Sequence, residues 1–424
     1  MKKLENNYYK IVTLLGMCLC IIWTLLINTQ PFSDFNYYNN LAIEIANRQY
    51  FGDTYTAVGY SMVLGFIYKI FGSSLVVAKT FNLTLTLGNY FIVYSILKKI
   101  NINENRRKLV YLLFVIFPNN IFYNSILGTE ILFTNIFLII SLIYYSNIKY
   151  KYFLIGIFSG INTMIKPFFI VFFFSIFIIE IFLRVKLMTV FKNVMIVLIT
   201  SFMVISPWIY RNTKLMGQPT FVSNNGGIVL YINNNSQNKH GRWMPAEQIQ
   251  DSMVIKKYYI NANMTERNRM LTKETKKWIA AHPFEFIKLG FKRLFNTYFI
   301  GDDIIYSFNG AKLNKYHELT LIVYYNLIRN LVFIPAIVII LIHSINIIRH
   351  LLNKKNIDLY SIYNLVCFYM FTGIYFITEG QSRYAFPFIF IMIYFFSDLV
   401  ERYHQYRCKK PYVIFPLSGK ITLD

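Results

Sequence analysis

Carboxylates are scarce in this chain: 20 Asp and Glu stand against 43 Lys and Arg over 424 residues, a formal charge of +23. Such an excess suits nucleic acid or a membrane surface, and the placement of the cations decides between them. They gather in short stretches between long apolar runs, the pattern of loops held on the cytoplasmic side of a membrane, so nucleic acid is not an expected partner. The four cysteines, Cys18, Cys20, Cys367 and Cys408, share no spacing for a disulfide framework or a zinc site. The histidines form no HxxH or HExxH pattern, and no Walker loop or GxGxxG fingerprint precedes a helix. A soluble nucleotide cofactor is therefore not expected; no metal ligands are assigned, and a divalent cation is left open. No internal repeat is visible, and charges lie almost only at the ends of apolar runs, which speaks against a transporter or flippase.

What the chain has in quantity is apolar surface, with 55% hydrophobic residues and 18% aromatics. Runs of the roughly 20 residues that cross a bilayer fall near 11–28, 74–97, 109–127, 129–146, 152–166, 167–183, 190–209, 319–346, 359–377 and 384–400, ten spans of an α-helical polytopic membrane protein. The first is read as a retained span, because no small-residue cleavage site follows it. The stretch Ala57 to Phe71 is read as an interfacial helix. Counting it as a span would scatter LKKI, NENRRK, NIKYK, RVKLMTVFK, RHLLNKK and ERYHQYRCKK over both faces, whereas leaving it out puts them all with the N-terminal KK. Both termini are then cytoplasmic.

The chain divides into residues 1–209, an N-terminal transmembrane module with the first outer loop at 29–73; residues 210–318, an extracytoplasmic segment; and residues 319–424, a C-terminal transmembrane module with a basic tail. In the outer segment PTFVSNNGGIVLYINNNSQ alternates like a strand, and residues 246–299 read as amphipathic helices, so a small mixed unit packed back on the membrane part is expected.

On the outer face Asp34 begins SDFNYYNN, where a carboxylate can serve as a general base or simply cap the following helix; a cap from Ser33 leaves it free. Asp53 in FGDTY suits a second acid or a turn. Glu130, at the corner between two spans, is costly there unless paired or wetted, and it also suits a helix start. Lys166, Arg211 and Arg383 are cations at outer ends of spans; each alone is a snorkelling anchor, and together they suit an anionic headgroup.

Taken in order, SDFNYYNNLAIEIAN, AVGYSMVLGFIYKIFGSS, NSILGTEILF, GIFSGINTMIKPFF, SPWIYRNTKLMGQ and GQSRYAFPF resemble the membrane-embedded GT-C-type glycosyltransferases, a group with protein O-mannosyltransferases and the aminoarabinose transferases of lipid A. Gly59 stands where many members have proline, and Lys166 where the turn often has Arg. The resemblance implies transfer, with inversion, of a sugar from a polyprenyl-phosphate donor to a lipid, glycan or protein acceptor in the cell envelope. Asp34 would be the base, with Asp53 and Glu130 as further acids, and Lys166, Arg211, Arg383 and Tyr384 would bind the lipid phosphate. A lipid-linked polysaccharide polymerase or ligase is the neighbouring alternative.

Overall fold

The computed structural model describes residues 2–353, 355 and 357–407. Cys408 and the basic tail after it, Lys354, and the side chains of Lys2 and Lys3 lie outside the described residues. Among those described the chain is helical throughout, with no strand. In order the helices are α1 (Lys2–Leu26), α2 (Ser33–Arg48), α3 (Gly59–Phe71), α4 (Leu75–Lys99), α5 (Glu104–Ile116), α6 (Pro118–Phe122), α7 (Glu130–Tyr144), α8 (Lys151–Ile165), α9 (Phe172–Phe182), α10 (Leu187–Met216), α11 (Gly226–Asn233), α12 (Lys257–Ile260), α13 (Met264–Ala281), α14 (Pro283–Tyr298), α15 (Lys315–Leu352), α16 (Leu359–Ile377) and α17 (Ile389–Arg407). Side-chain caps mark several starts: Ser74 accepts from Val77 N, Asn103 from Arg106 N, Asn314 from His317 N and Asp358 from Ser361 N.

Among the described residues five helices are long and apolar enough to cross a membrane, six if α3 and α4 form one bent span; α7, α8 and residues 167–182 are apolar but shorter. The axes of α3 and α4 meet at 117°. The sharp turn passes through Gly72, whose φ of +89° suits glycine, and Ser74 starts the new helix. The run at 109–127, expected as one span, is broken. Pro118 removes a donor and biases Phe117 to an extended conformation (ψ 131°), so α5 stops at Ile116 and α6 restarts at the proline.

Helix α7 is apolar on all sides because it is enclosed on all sides, with 13 of its 15 residues buried. Some of its polar groups are matched inside: Asn135 donates to Asn89 at 3.0 Å, and Ser141 meets the Tyr363 hydroxyl at 3.0 Å. Helices α8 and α10 come together at backbone distance. A Cβ on Gly156 or Gly160 would lie 2.8 Å from the carbonyl oxygen of Val197 or Ser201, so only glycine allows this approach. Gly59 has a similar reason, since a Cβ there would stand 2.5 Å from Met164 O at the end of α8.

The charges also correct an expectation. Arg106, counted as a loop cation of NENRRK, is buried and pairs with Asp398 and Glu401 at 3.2 Å each, tying α5 to α17. Arg329 lies well inside α15 rather than at its end, fully buried, and pairs with the equally buried Asp303 at 3.2 Å. Asp303 also accepts from the Tyr325 hydroxyl at 2.8 Å and from Tyr123, and Arg329 donates to Thr297 O and, at 3.3 Å, to Ser382 O.

In the outer segment the strand-like run GGIVLYIN is instead helix α11. Tertiary contact overrides the local alternation: Tyr231 and Ile232 bury against Leu271 of α13, while Asn233, Asn234 and Asn235 each donate to the carbonyl four residues back. An Asn263–Glu266 capping box starts α13. Helix α14 lies across the end of α16, where buried Arg293 donates to Ile377 O at 3.1 Å and to Asn233 O at 2.7 Å. Burial pushes this guanidinium down to about 10, opposed by the charge of Glu379.

Two outcomes test this architecture. Arg329→Met strands the Asp303 carboxylate in the bundle and should cost about 3–5 kcal/mol, read as a lowered unfolding midpoint in detergent; an unchanged midpoint contradicts the pairing. In a cysteine-free background, cysteines at Asn105 and Lys273 should be labelled by a membrane-impermeant maleimide from opposite sides of the membrane, and labelling of both from one side overturns the expected topology.

Candidate active site

The first outer loop enters the site through an unusual backbone. Ser33 opens α2 with a φ of +47°, sparsely populated for a residue with a Cβ. No side chain caps this helix, neither Ser33 nor Asp34. Asp34 turns away from the helix end and accepts from Arg383 Nη2 at 3.0 Å, with about half of its side chain (53%) still open to solvent. The next residue, Phe35, is buried beneath the guanidinium, 5.6 Å from ring centre to Arg383 Cζ.

Arg383 comes from the turn Ser382–Phe388 that leads into α17. Besides Phe35 it faces the rings of Tyr306 at 6.0 Å and Tyr384 at 5.5 Å. The Tyr384 hydroxyl donates to Glu379 at 2.6 Å, and its ring stacks on Tyr375, so the aromatic wall is fixed from behind. Lys166 Nζ lies near the same Tyr384 ring, 5.4 Å from its centre. Both cations therefore lie within about 6 Å of one tyrosine ring.

Lys166 follows the last residue of α8 and donates to Glu130 Oε1 at 3.5 Å, a pair with side chains only 14% and 3% exposed. Pro167 ends the helix here and turns the lysine back over α7, where Phe133 lies 5.7 Å from Nζ. Glu130 starts α7, and its second oxygen is buried without a hydrogen-bond partner. Gly128 makes room for it: a Cβ there would lie 2.4 Å from Glu130 Oε2 and 3.0 Å from the Phe35 ring. Two acid–cation pairs, Asp34–Arg383 and Glu130–Lys166, thus lie against one group of aromatic rings.

Asp53 and Arg211 stand at a neighbouring turn and are in neither pair. Asp53 is exposed and accepts from Tyr55 N at 2.8 Å, an Asx turn. Arg211 stacks on Trp208 at 4.5 Å and holds the carbonyls of Gly52 and, at 3.3 Å, Asp53, so it clamps the loop's backbone. Sequence reasoning did not pick out Glu379, Asp302, Tyr306 or Phe35. Ser382 donates to Asp302 at 2.6 Å, and Arg242 pairs with the same carboxylate. Burial would raise the Asp302 carboxyl, but the bonds from Arg242 and Ser382 hold it below its ordinary value. The signal available was local: GDD at 301–303 and the glutamate of TEGQSRY are acids where acids are rare.

Chemically, the site offers a solvent-reachable carboxylate beside a forked guanidinium, and an ammonium near the same tyrosine ring. That set suits an anionic phosphate next to a hydroxyl that must lose a proton. A metal ion fits less well: among the described residues no group of three or more His, Cys, Asp or Glu side chains comes together, and Asp34 and Glu130 are each engaged by a cation.

No protein-family model matches the chain, and no curated protein matches it. Among solved structures it is similar to the oligosaccharyltransferase of Archaeoglobus fulgidus tethered with an acceptor peptide (TM-score 0.51, 13% identity, 95% of this chain and 51% of that one). It is likewise similar to the same enzyme, AglB, with an inhibitory peptide and dolichol-phosphate (TM-score 0.51, 12% identity, 96% and 52%) and in its apo form (TM-score 0.51, 12% identity, 96% and 51%). The chain spans about half the length of these structures. It therefore has a GT-C-like fold of apolar helices, that of a membrane protein.

Lys166→Ala should leave Glu130 buried and unpaired, at a cost of about 3–5 kcal/mol. The double variant with Glu130→Gln should recover part of that loss; purely additive losses in unfolding midpoint would show that the two side chains do not interact.

Proposed function

We propose that this protein is an integral membrane glycosyltransferase that moves a sugar from a polyprenyl-phosphate donor to an acceptor hydroxyl on the extracytoplasmic face of the cell membrane. The observation that carries the reading is the Asp34–Arg383 pair, 3.0 Å apart, against a group of aromatic rings in a fold shared with a membrane oligosaccharyltransferase. One of those neighbouring structures holds dolichol-phosphate, which supports a lipid phosphate as the donor's leaving group.

In this reading the donor phosphate sits against Arg383 and Lys166, which both lie near the Tyr384 ring. Arg383 offers a planar fork and Lys166 a point charge, both aimed where negative charge grows as the anomeric carbon–oxygen bond breaks. The phosphate competes with Asp34 for Arg383, and a carboxylate released from an ion pair is the better proton acceptor. Asp34 then takes the acceptor proton as the hydroxyl oxygen attacks the anomeric carbon, and the bonding electrons leave with the lipid phosphate. Displacement from the opposite side inverts that carbon. Glu130 keeps Lys166 in place, Arg211 holds the Gly52–Asp53 turn under the acceptor, and Asp53 lies at the rim as a second acid.

Asp34→Asn should leave insertion and the unfolding midpoint unchanged while lowering transfer from a polyprenyl-phosphate sugar by about 10²–10⁴-fold; full turnover would sink the assignment. Arg383→Ala should raise the apparent KM for the lipid donor, with Arg383→Lys intermediate.

A further inference from the structure

The outer segment holds an open groove of about 700 Å³ that the transfer chemistry does not use. Its floor is polar and fastened. Thr220 meets Thr265 hydroxyl to hydroxyl at 2.7 Å, and Asn224 donates to Thr265 at 3.0 Å. One wall is the face of α13 that carries Arg269, Lys273 and Lys276, spaced at i, i+4 and i+7 and all exposed. The neighbouring Lys277 pairs with Glu274 at 3.2 Å, whereas those three have no carboxylate partner among the described residues.

This is more than a solvated lysine face, for two reasons. The cations line a concavity whose opposite side, Pro219, Thr220, Phe221, Ser223 and Asn224, carries no charge, so a bound anion would meet the cations of α13 with no carboxylate facing them. The imbalance also extends through the segment: residues 211–318 hold 16 Lys and Arg against 8 Asp and Glu, a surplus that the positive-inside rule does not explain for a chain on the outer face.

The groove adjoins the loop that carries Asp34. Asn224 N donates to Thr54 O at 2.8 Å and its side chain to the Thr54 hydroxyl at 2.7 Å, so the groove floor is joined to the first outer loop. Next along is Tyr55, an exposed ring whose hydroxyl is pushed up by partial desolvation and then by Tyr259, Asp34 and Asp53.

We infer that the groove is the acceptor channel, and that the acceptor is an anionic polymer whose phosphate or carboxylate groups ride along Arg269, Lys273 and Lys276 while a hydroxyl nearer the membrane reaches Asp34. This rests on the transferase reading and names its acceptor class. The three cations span about 10 Å of helix, enough to meet more than one anionic group of a repeating chain and to favour a polymer over a single small anion.

The test measures binding without turnover. Full-length protein in phosphatidylcholine nanodiscs is titrated against fluorescein-labelled short-chain polyphosphate, labelled oligogalacturonate and a labelled neutral maltooligosaccharide, read by anisotropy. One or both anionic chains should bind and the neutral one should not; which anionic chain binds distinguishes phosphate from carboxylate. R269Q/K273Q/K276Q should weaken that binding by about tenfold or more and flatten its salt dependence. The charge-matched control K257Q/K312Q/K315Q should stay within about twofold. Equal loss in the control, no loss in the triple variant, or equal binding of the neutral glycan overturns the inference. So does a triple variant that loses affinity for phosphatidylglycerol vesicles but not for the anionic chains. Asp34→Asn protein with full transfer activity would sink the transferase reading while leaving these isotherms unmoved, so the two failures are separable.

Discussion

The arrangement around the site depends on one buried ion pair. Asp303 and Arg329 are closed off from solvent, and a charge so placed is tolerated only with its partner and several hydrogen bonds. Each bond recruits a different part of the chain: Tyr123 beyond α6, Tyr325 of α15, Thr297 of α14 and the carbonyl of Ser382. Ser382 precedes Arg383, so the pair fixes where the guanidinium of the site emerges. The pair is also the feature that a transporter reading would look for inside a span, yet its ligands are all structural partners that anchor it.

How much of this could be read from the sequence depended on whether the physics was local. Helices occupy each apolar run that length and hydropathy picked out, because a segment surrounded by lipid or by other helices must satisfy its own backbone. Asp34, Arg383, Glu130 and Lys166 could be named because charges beside apolar runs are conspicuous, and Tyr384 only through the resemblance. Their pairing could not: positions 34 and 383 are far apart along the chain, and no periodicity links them. The same holds for GGIVLYIN, whose alternation suggested a strand until contact with Leu271 decided for helix, and for Arg106, whose neighbours in NENRRK look solvated although it is not.

Glycine explains several of the departures. Gly59, Gly128, Gly156 and Gly160 all lie where a Cβ would collide with backbone or with a charged side chain. At Gly59 the glycine, in place of a proline, lets the start of α3 rest on the end of α8. At Gly128 it lets a carboxylate sit against an aromatic ring that also supports the guanidinium. Backbone contact of this kind is close-packed and resists adjustment.

The backbone contact at Gly156 and Gly160 has a mechanical consequence. It makes α8 and α10 a single stiff plank, and at one end of that plank Met164 and Trp208 pack into the same small cluster. Lys166 is mounted on one strut and Arg211 on the other. The ammonium of the site and the clamp on the Gly52–Asp53 turn are therefore held at a constant separation, as two jaws of one fixed vice. A change in the distance between the two acid–cation pairs is therefore left to the Asp34 side, where Ser33 holds a backbone angle that would relax if it moved.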